Sequence, residues 1–150
     1  MEEVTLVSST FIPRSRGPRH RAAASFGVTR TAVASVVTAS GELDLTVTDL
    51  LAALLAYEVR LYPPALVCDT SAVEFCTAGV LTVLIDSVAD AARAGVPFAV
   101  AGRRRALLRP VTALGLEQAL PLHRSVAEAL KRLTLSPHLT DTDARGNRRR

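Results

Sequence analysis

Aromatic residues are scarce in this sequence of 150 residues: they make up 4% of it, and tryptophan is absent. Hydrophobic residues make up 49%, so a core can form, but it has to be built from alanine, valine and leucine. A chain of this length is typical of one domain. With so few aromatic side chains, the sequence offers no stacking platform of the kind that binds single-stranded nucleic acids.

Long apolar runs and an export signal are also missing. Acidic residues or arginine interrupt the apolar stretches well before the roughly 20 residues that a membrane span requires. The N-terminus carries Glu2 and Glu3 and no apolar segment that ends in a cleavage site, so we predict no secretory signal. The two cysteines, Cys68 and Cys76, lie in apolar surroundings, and we expect free buried thiols in a cytoplasmic protein.

The formal net charge of +4 comes from the two ends of the chain. Residues 1–24 and residues 134–150 each hold four arginines against two acidic residues, whereas residues 25–133 hold ten basic and ten acidic ones. A folded basic face for nucleic acid is therefore not indicated. The composition predicts a flexible basic arm over 1–24, a folded domain over 25–133 and a disordered basic tail over 134–150.

The periodicity of apolar residues predicts an α/β fold in the middle of the chain. Two strands come first, Gly41 is expected to form a turn, and helices then alternate with strands. Alternation of this kind favours a mixed sheet, here of four to five strands packed with about four helices. Thr46 with Asp49 is expected to cap the first helix. The predicted strands are Ser25–Arg30, Ala32–Ala39, Ala65–Asp69, Val96–Gly102 and Leu120–Leu122, and the predicted helices are Thr46–Leu61, Thr77–Ala94, Arg103–Leu116 and Ser125–Leu133.

The stretch VEFCTAGV, Val73 to Val80, connects a buried strand to a helix through small side chains. Thr77 stands where its hydroxyl can cap the helix by accepting a backbone N–H bond. The same hydroxyl is well placed to carry a phosphate, because the helix N-terminus stabilises negative charge. Ala78 and Gly79 leave room for another molecule to approach the backbone. The residues alone leave both interpretations open.

Sequence signatures of catalysis and of metal binding are missing. There is no glycine-rich phosphate loop and no G-x-S-x-G elbow, and His20, His123 and His138 do not cluster at ligand spacing. A Cys76–His123 nucleophile pair is conceivable through space, but a free cysteine among apolar residues is usually inert. We therefore expect no enzyme, no cofactor and no metal, and a cysteine-dependent enzyme that uses Cys76 is the weaker alternative.

Charged side chains near the later strands allow two interpretations each. Asp69 is expected to brace the loop at its strand end rather than to act as a catalytic carboxylate, and Asp44 either braces a turn or contacts a partner. Four arginines form a charged edge that is either a solvated face or a contact with an acidic partner. These arginines are Arg103, Arg104, Arg105 and Arg109.

Four segments together resemble the STAS domain, and more narrowly the anti-sigma factor antagonists of bacteria. They are GELDL (Gly41–Leu45), ALVCDTSAVEF (Ala65–Phe75), TAGVLTVLIDSVADAARAG (Thr77–Gly95) and FAVAGRRRALLRPVTALGLEQALPL (Phe98–Leu122). The resemblance implies a STAS-like α/β fold and a function in transcription regulation by partner switching. Such a protein binds an anti-sigma factor, a serine/threonine kinase of the GHKL type, and so releases a sigma factor. No membrane and no nucleic acid are implied as direct partners.

The resemblance also implies a site. The family's phosphorylation position falls on Thr77, and its partner-binding surface falls on Gly41, Glu42, Leu43, Asp44, Cys76, Thr77, Ala78 and Gly79. The family's pattern F-[apolar]-D-S-[SA]-G is one residue shorter here, and Cys76 stands in the usual place of Asp. This departure keeps a second interpretation open, an unregulated STAS scaffold in a signalling assembly.

Overall fold

The structure is a computed structural model that describes residues 5–10 and 23–135. In this part of the chain, six strands form one sheet whose spatial order follows the sequence. A single turn of 3-10 helix at Leu45–Val47 precedes the first of four α-helices. The strands are β1 (Thr5–Thr10), β2 (Ser25–Arg30), β3 (Ser35–Leu43), β4 (Leu66–Cys76), β5 (Phe98–Ala101) and β6 (Leu122–His123), and the helices are α1 (Thr48–Arg60), α2 (Ala78–Ala94), α3 (Arg105–Ala113) and α4 (Val126–Leu135).

The sheet is mixed, as the alternation of elements predicts. Strand β2 runs antiparallel to its neighbours β1 and β3, and β3 to β6 run parallel. Parallel neighbours need a crossover connection, and α1, α2 and α3 supply the three crossovers in turn. Each of these helices therefore follows the carboxyl end of a parallel strand, so the three begin along the same edge of the sheet.

Apolar side chains form a core on each face of the sheet. The larger core lies between the sheet and helices α1, α2 and α3, and the smaller core lies under α4. On α2, the apolar periodicity predicts that Val80, Leu81, Leu84, Val88 and Ala91 or Ala92 face inward; Val88 is half-buried and the others except Ala92 are buried. The larger core contains Val28, Val37, Leu51, Leu55, Cys68, Leu81, Leu84, Val100 and Leu107, and the smaller one contains Val67, Ala99, Ala101 and Ala129.

Strand β1 corrects the predicted N-terminal arm. Residues 5–10, which the composition assigns to a flexible segment, pair antiparallel with β2 along its whole length. Threonine and valine favour this pairing. Residues 25–133 hold five strands, β2 to β6, as predicted, and β1 adds a sixth strand to the sheet. The arginine-rich remainder of the arm, residues 11–22, and residues 136–150 of the tail lie outside the described residues.

The parallel pair β3 and β4 is longer than predicted. Gly41 forms no turn. It lies inside β3 with φ 83°, next to a shift of the β3–β4 register between Gly41 and Glu42. A bulge of this kind needs positive φ, which glycine adopts without steric cost. Because β3 continues past the bulge, β4 keeps a hydrogen-bonding neighbour beyond Asp69, the predicted end of the strand, and extends to Cys76.

Candidate functional site

The end of β3 meets the start of α2 directly. The backbone N–H of Thr77 donates to the carbonyl oxygen of Leu43 at 3.2 Å. In the β3–β4 register, Leu43 lies opposite Cys76 and Glu42 lies opposite Phe75. The structure therefore brings together the two segments of the predicted partner-binding surface, Gly41–Asp44 and Cys76–Gly79, although more than 30 residues separate them in the sequence.

Asp44 holds the turn that leads into α1. Its carboxylate oxygen Oδ1 accepts hydrogen bonds from the backbone N–H of Thr46 at 2.9 Å and from the Thr46 hydroxyl at 2.5 Å. The predicted cap by Thr46 with Asp49 is thus wrong, because Asp44 precedes the helical turn and occupies the capping position itself. Asp44 braces this turn beside Leu43, whose carbonyl contacts Thr77.

Thr77 occupies the N-cap position of α2 with an extended backbone, but its side chain makes no capping hydrogen bond. Its hydroxyl oxygen is buried and has no hydrogen-bond partner within the described part of the chain, although the residue as a whole is half-buried. The expected cap by this hydroxyl is therefore absent. A buried hydroxyl without a partner costs about 1–3 kcal/mol, and Thr77 offers the first N–H groups of α2 no side-chain acceptor.

Two exposed apolar side chains border Thr77 and were not predicted as site residues. Leu45 is 73% exposed and Phe75 is 41% exposed. A Cβ atom on Gly79 would lie 3.6 Å from Leu45 Cδ2 and 3.8 Å from Thr77 Oγ1, so Leu45 and the hydroxyl flank the same point. A signal for Leu45 exists in the sequence: it lies outside the apolar face that the spacing of Val47, Leu50, Leu51 and Leu54 predicts for the first helix.

Cys76 is unsuited to act as a nucleophile. Its sulfur is buried, and burial raises the pKa of the thiol to about 12. Burial likewise raises the pKa of Cys68 to about 12, and both cysteines are free. In the sheet Cys76 lies opposite Leu43 of β3, whereas His123 belongs to β6, two strands beyond β4. The structure therefore does not form the conceivable Cys76–His123 pair.

We expect both thiols to react slowly with iodoacetamide at neutral pH. A pKa of about 12 in place of 9.0 leaves roughly a thousandfold less thiolate at neutral pH. Mass spectrometry of the native chain should show labelling slower by at least this factor than in denaturing guanidinium chloride, where both cysteines react. Fast labelling of Cys76 in the native chain would contradict the burial seen here.

The described residues contain no group of three or more His, Cys, Asp or Glu side chains arranged to hold a metal ion. Asp69 does not brace a loop at a strand end, because it lies inside β4; its Oδ1 accepts from the backbone N–H of Ser71, two residues later in the same strand, at 3.0 Å. Within residues 5–10 and 23–135, no helix is long and apolar enough to span a bilayer.

The mixed sheet carries three helix starts along one edge, with the Thr77 hydroxyl at the middle one. A family model described as "Mlab, STAS domain" matches residues 26–134. The chain belongs to the STAS domain family, as the sequence segments indicate. No curated protein sequence matches this chain closely enough to show a relationship.

Solved structures of anti-sigma factor antagonists are similar to this chain. One from Mycobacterium paratuberculosis is 26% identical with a TM-score of 0.63, and the match covers 88% of this chain and 95% of that one. The S58E variant of RsbS from Moorella thermoacetica is 26% identical with a TM-score of 0.60, covering 71% and 92%. An anti-sigma factor antagonist candidate from Thermotoga maritima shares the fold, with 15% identity, a TM-score of 0.63 and coverage of 73% and 94%.

Proposed function

We propose that this protein is an anti-sigma factor antagonist. It binds an anti-sigma factor, a kinase of the GHKL type, and thereby releases a sigma factor in the cytoplasm. The protein itself catalyses no reaction. Phosphorylation of Thr77 by the bound kinase causes the complex to dissociate.

The observation that carries this proposal is the hydrogen bond from the Thr77 N–H to the Leu43 carbonyl. It fixes Asp44 and the start of α2 side by side, so that one partner can contact both. The exposed Leu45 and Phe75 add apolar surface at the same place. Apolar side chains surrounded by polar groups are typical of surfaces that bind another protein.

The switch in this proposal is electrostatic. A phosphate on Thr77 carries about −1.5 to −2 charges at pH 7. The N-terminus of α2 stabilises that charge within the free protein. In the complex, a partner surface that fits the neutral hydroxyl would have to strip water from the phosphate without compensating its charge, which weakens binding. A coupling free energy of about 1–3 kcal/mol, common for regulation, lowers affinity by roughly 5- to 150-fold.

The hydroxyl must turn outward before it can react. Thr77 Oγ1 is buried in the structure, so transfer of a phosphate requires rotation of the side chain about its χ1 angle. The absence of a hydrogen bond lowers the cost of this rotation, since no interaction has to be broken. The neighbouring Leu45 side chain is largely exposed and can move aside.

Two substitutions of Thr77 test the proposal. Thr77→Glu should weaken capture of a GHKL-type ATPase from a cell extract by 5- to 150-fold, because it adds negative charge at the contact. Thr77→Val should keep the ATPase, because the shape is conserved, and should fold at least as stably as the wild type, because an unpaired buried hydroxyl is removed. With that ATPase and ATP, mass spectrometry should detect one added phosphate on the wild type and none on Thr77→Val.

Thr112→Glu is the matched control, since it places the same charge on an exposed threonine of α3. It should retain the ATPase. If Thr77→Glu and Thr112→Glu capture the same proteins as the wild type, Thr77 does not belong to the docking surface.

The buried hydroxyl favours a second candidate, an unregulated STAS scaffold in a signalling assembly. Cys76 in the usual place of Asp, and a Thr77 hydroxyl without access to solvent, are both consistent with binding that no kinase controls. The two candidates differ in one result. The scaffold binds its partner and gains no phosphate on incubation with that partner and ATP.

A further inference from the structure

Five arginines lie close together where β5 and β6 end, outside the predicted partner-binding surface of Gly41–Asp44 and Cys76–Gly79. Arg103 and Arg104 lie between β5 and α3, Arg105 is the first residue of α3, and Arg109 follows one turn later on the same helix. The backbone N–H of Gly102 donates to the carbonyl oxygen of His123 at 2.7 Å. This hydrogen bond brings Arg124, the residue after His123, beside Arg103. We call these five residues the arginine cluster.

No carboxylate within residues 5–10 and 23–135 forms an ion pair with the arginine cluster, and all five side chains are exposed. Two carboxylates near the cluster accept backbone hydrogen bonds: Asp69 from the N–H of Ser71 at 3.0 Å, and Glu128 from the N–H of Arg124 at 2.6 Å. That hydrogen bond and the charge of Arg124 lower the pKa of Glu128, so Glu128 offsets part of one of the five charges. The Arg104 guanidinium itself donates to the Ser71 carbonyl oxygen at 3.2 Å.

The positions of these arginines destabilise α3. Arg104 is the N-cap of this helix and Arg105 its first residue, where the positive end of the helix dipole disfavours cations. Arg105 and Arg109 are four residues apart, a spacing at which like charges repel. Uncompensated charge of one sign on a folded surface attracts a partner of the opposite charge.

The arginine cluster and the proposed partner-binding surface at Thr77 both lie along the edge of the sheet where α1, α2 and α3 begin. Helix α2, which begins after Thr77, packs between α1 and α3, and the three helices start along one edge of the sheet. We propose that the arginine cluster binds an acidic segment of the protein that docks at Thr77. Only the assignment of the segment to that partner rests on the proposed function; the affinity of the cluster for acidic peptide does not.

A protein segment fits the cluster better than a nucleic acid does. No Phe, Tyr or Trp occurs between Gly102 and Leu135, so this part of the chain offers none of these rings as a stacking platform beside the arginines. Residues 25–133 carry equal numbers of acidic and basic residues, and so give no extended field along which a long polyanion could lie. Five guanidinium groups around one helix start match a short run of carboxylates.

The test uses the full chain and a fluorescein-labelled peptide of ten glutamates, followed by fluorescence anisotropy. Arg105→Glu/Arg109→Glu should weaken binding roughly tenfold or more, because two attractions become two repulsions. Arg60→Glu/Lys131→Glu changes the net charge equally at exposed positions on α1 and α4, and should stay within about twofold of the wild type. Binding should also weaken as salt is added.

A stability measurement separates lost binding from lost folding. Arg105→Glu places an acidic residue in the first turn of α3, where the dipole favours it, so this variant should melt at or above the wild-type temperature. Thr77→Glu should bind the peptide as the wild type does. The peptide measurement can therefore succeed even if Thr77 proves not to be phosphorylated, so the two proposals can fail independently.

Three outcomes would overturn the proposal. The wild type could show no binding of the peptide. The two double variants could weaken it equally, which would assign the effect to net charge, including that of the chain ends. A ten-residue thymidine oligonucleotide could bind more tightly than the peptide with the same dependence on Arg105 and Arg109, which would make the cluster a nucleic-acid site.

Discussion

Gly102→Ala is expected to lower the free energy of unfolding by about 3–5 kcal/mol, a large part of what a domain of this size has available. Gly102 follows β5 with φ +113°, in a region of backbone conformation that side chains rarely allow. Its added Cβ would lie 2.6 Å from the Thr70 hydroxyl oxygen, 2.8 Å from the Ser71 nitrogen and 2.9 Å from the Thr70 carbonyl carbon.

These contacts cannot be relieved by moving a flexible side chain. Two of the three atoms belong to the backbone of β4, and the Thr70 hydroxyl is buried and donates to the Ala101 carbonyl oxygen at 2.7 Å. A Cβ at position 102 would therefore push β4 and β5 apart where they meet. The displacement would also move Ser71, which accepts a hydrogen bond from Arg104, so the arginine cluster should lose its arrangement in the same variant.

Gly95 and Gly115 provide the comparison for Gly102. Both have positive φ, +77° and +66°, and a Cβ on either would meet nothing within 4 Å. Gly95→Ala and Gly115→Ala should therefore cost only the left-handed backbone term of about 1–2 kcal/mol, measured for all three by urea denaturation. A loss at Gly102 no greater than at Gly115 would show that the close approach to β4 is absent.

The fold was predictable to the extent that local patterns determine it. The spacing of Val80, Leu81 and Leu84 on α2 predicts the face that the structure buries, and the alternation of elements predicts the crossovers. The resemblance of Gly41–Asp44 and Thr77–Gly95 to STAS segments also predicted that the two would be neighbours, which the Leu43–Thr77 hydrogen bond confirms.

What could not be predicted depends on contacts between distant residues. Strand β1 exists because β2 offers a neighbour, and β4 extends to Cys76 because β3 continues beyond a bulge. Thr77 has the residue type and position of an N-cap, and only its surroundings decide that the hydroxyl makes no bond. Whether Thr77 accepts a phosphate and which side chains touch a partner stay predictions.

Glu58 shows the same limit in the core. In the sequence it is one charged residue of a helix, yet its side chain is completely buried in the structure. Arg30, 28 residues earlier on β2, donates to it through Nε at 3.1 Å and Nη2 at 2.6 Å. The Tyr57 ring lies 6.0 Å from the Arg30 guanidinium carbon. This pair connects β2 to the last part of α1, and the turn that Asp44 holds precedes the other end of this helix.

Arg30→Met is expected to cost about 3–5 kcal/mol, because it leaves the Glu58 carboxylate buried without a counter-charge. The double variant Arg30→Met/Glu58→Leu should recover most of that loss, since a buried ion pair replaced by apolar side chains of similar size is often neutral. Chemical denaturation of the two single variants and the double variant gives the coupling as a double-mutant cycle. Arg93→Met is the control, because Arg93 pairs with Asp90 on the surface of α2, and it should cost less than about 1 kcal/mol.

The cycle also tests what the Arg30–Glu58 pair contributes to the site. If the pair only fixes α1 against the sheet, the double variant should capture the same ATPase as the wild type, because apolar packing holds the helix in the same place. If the stability losses of the two single variants simply add in the double variant, groups other than Arg30 stabilise the buried Glu58 carboxylate. Restored stability without restored capture would show that the ion pair sets the position of α1, and with it Asp44 and Leu45, more finely than apolar contacts can.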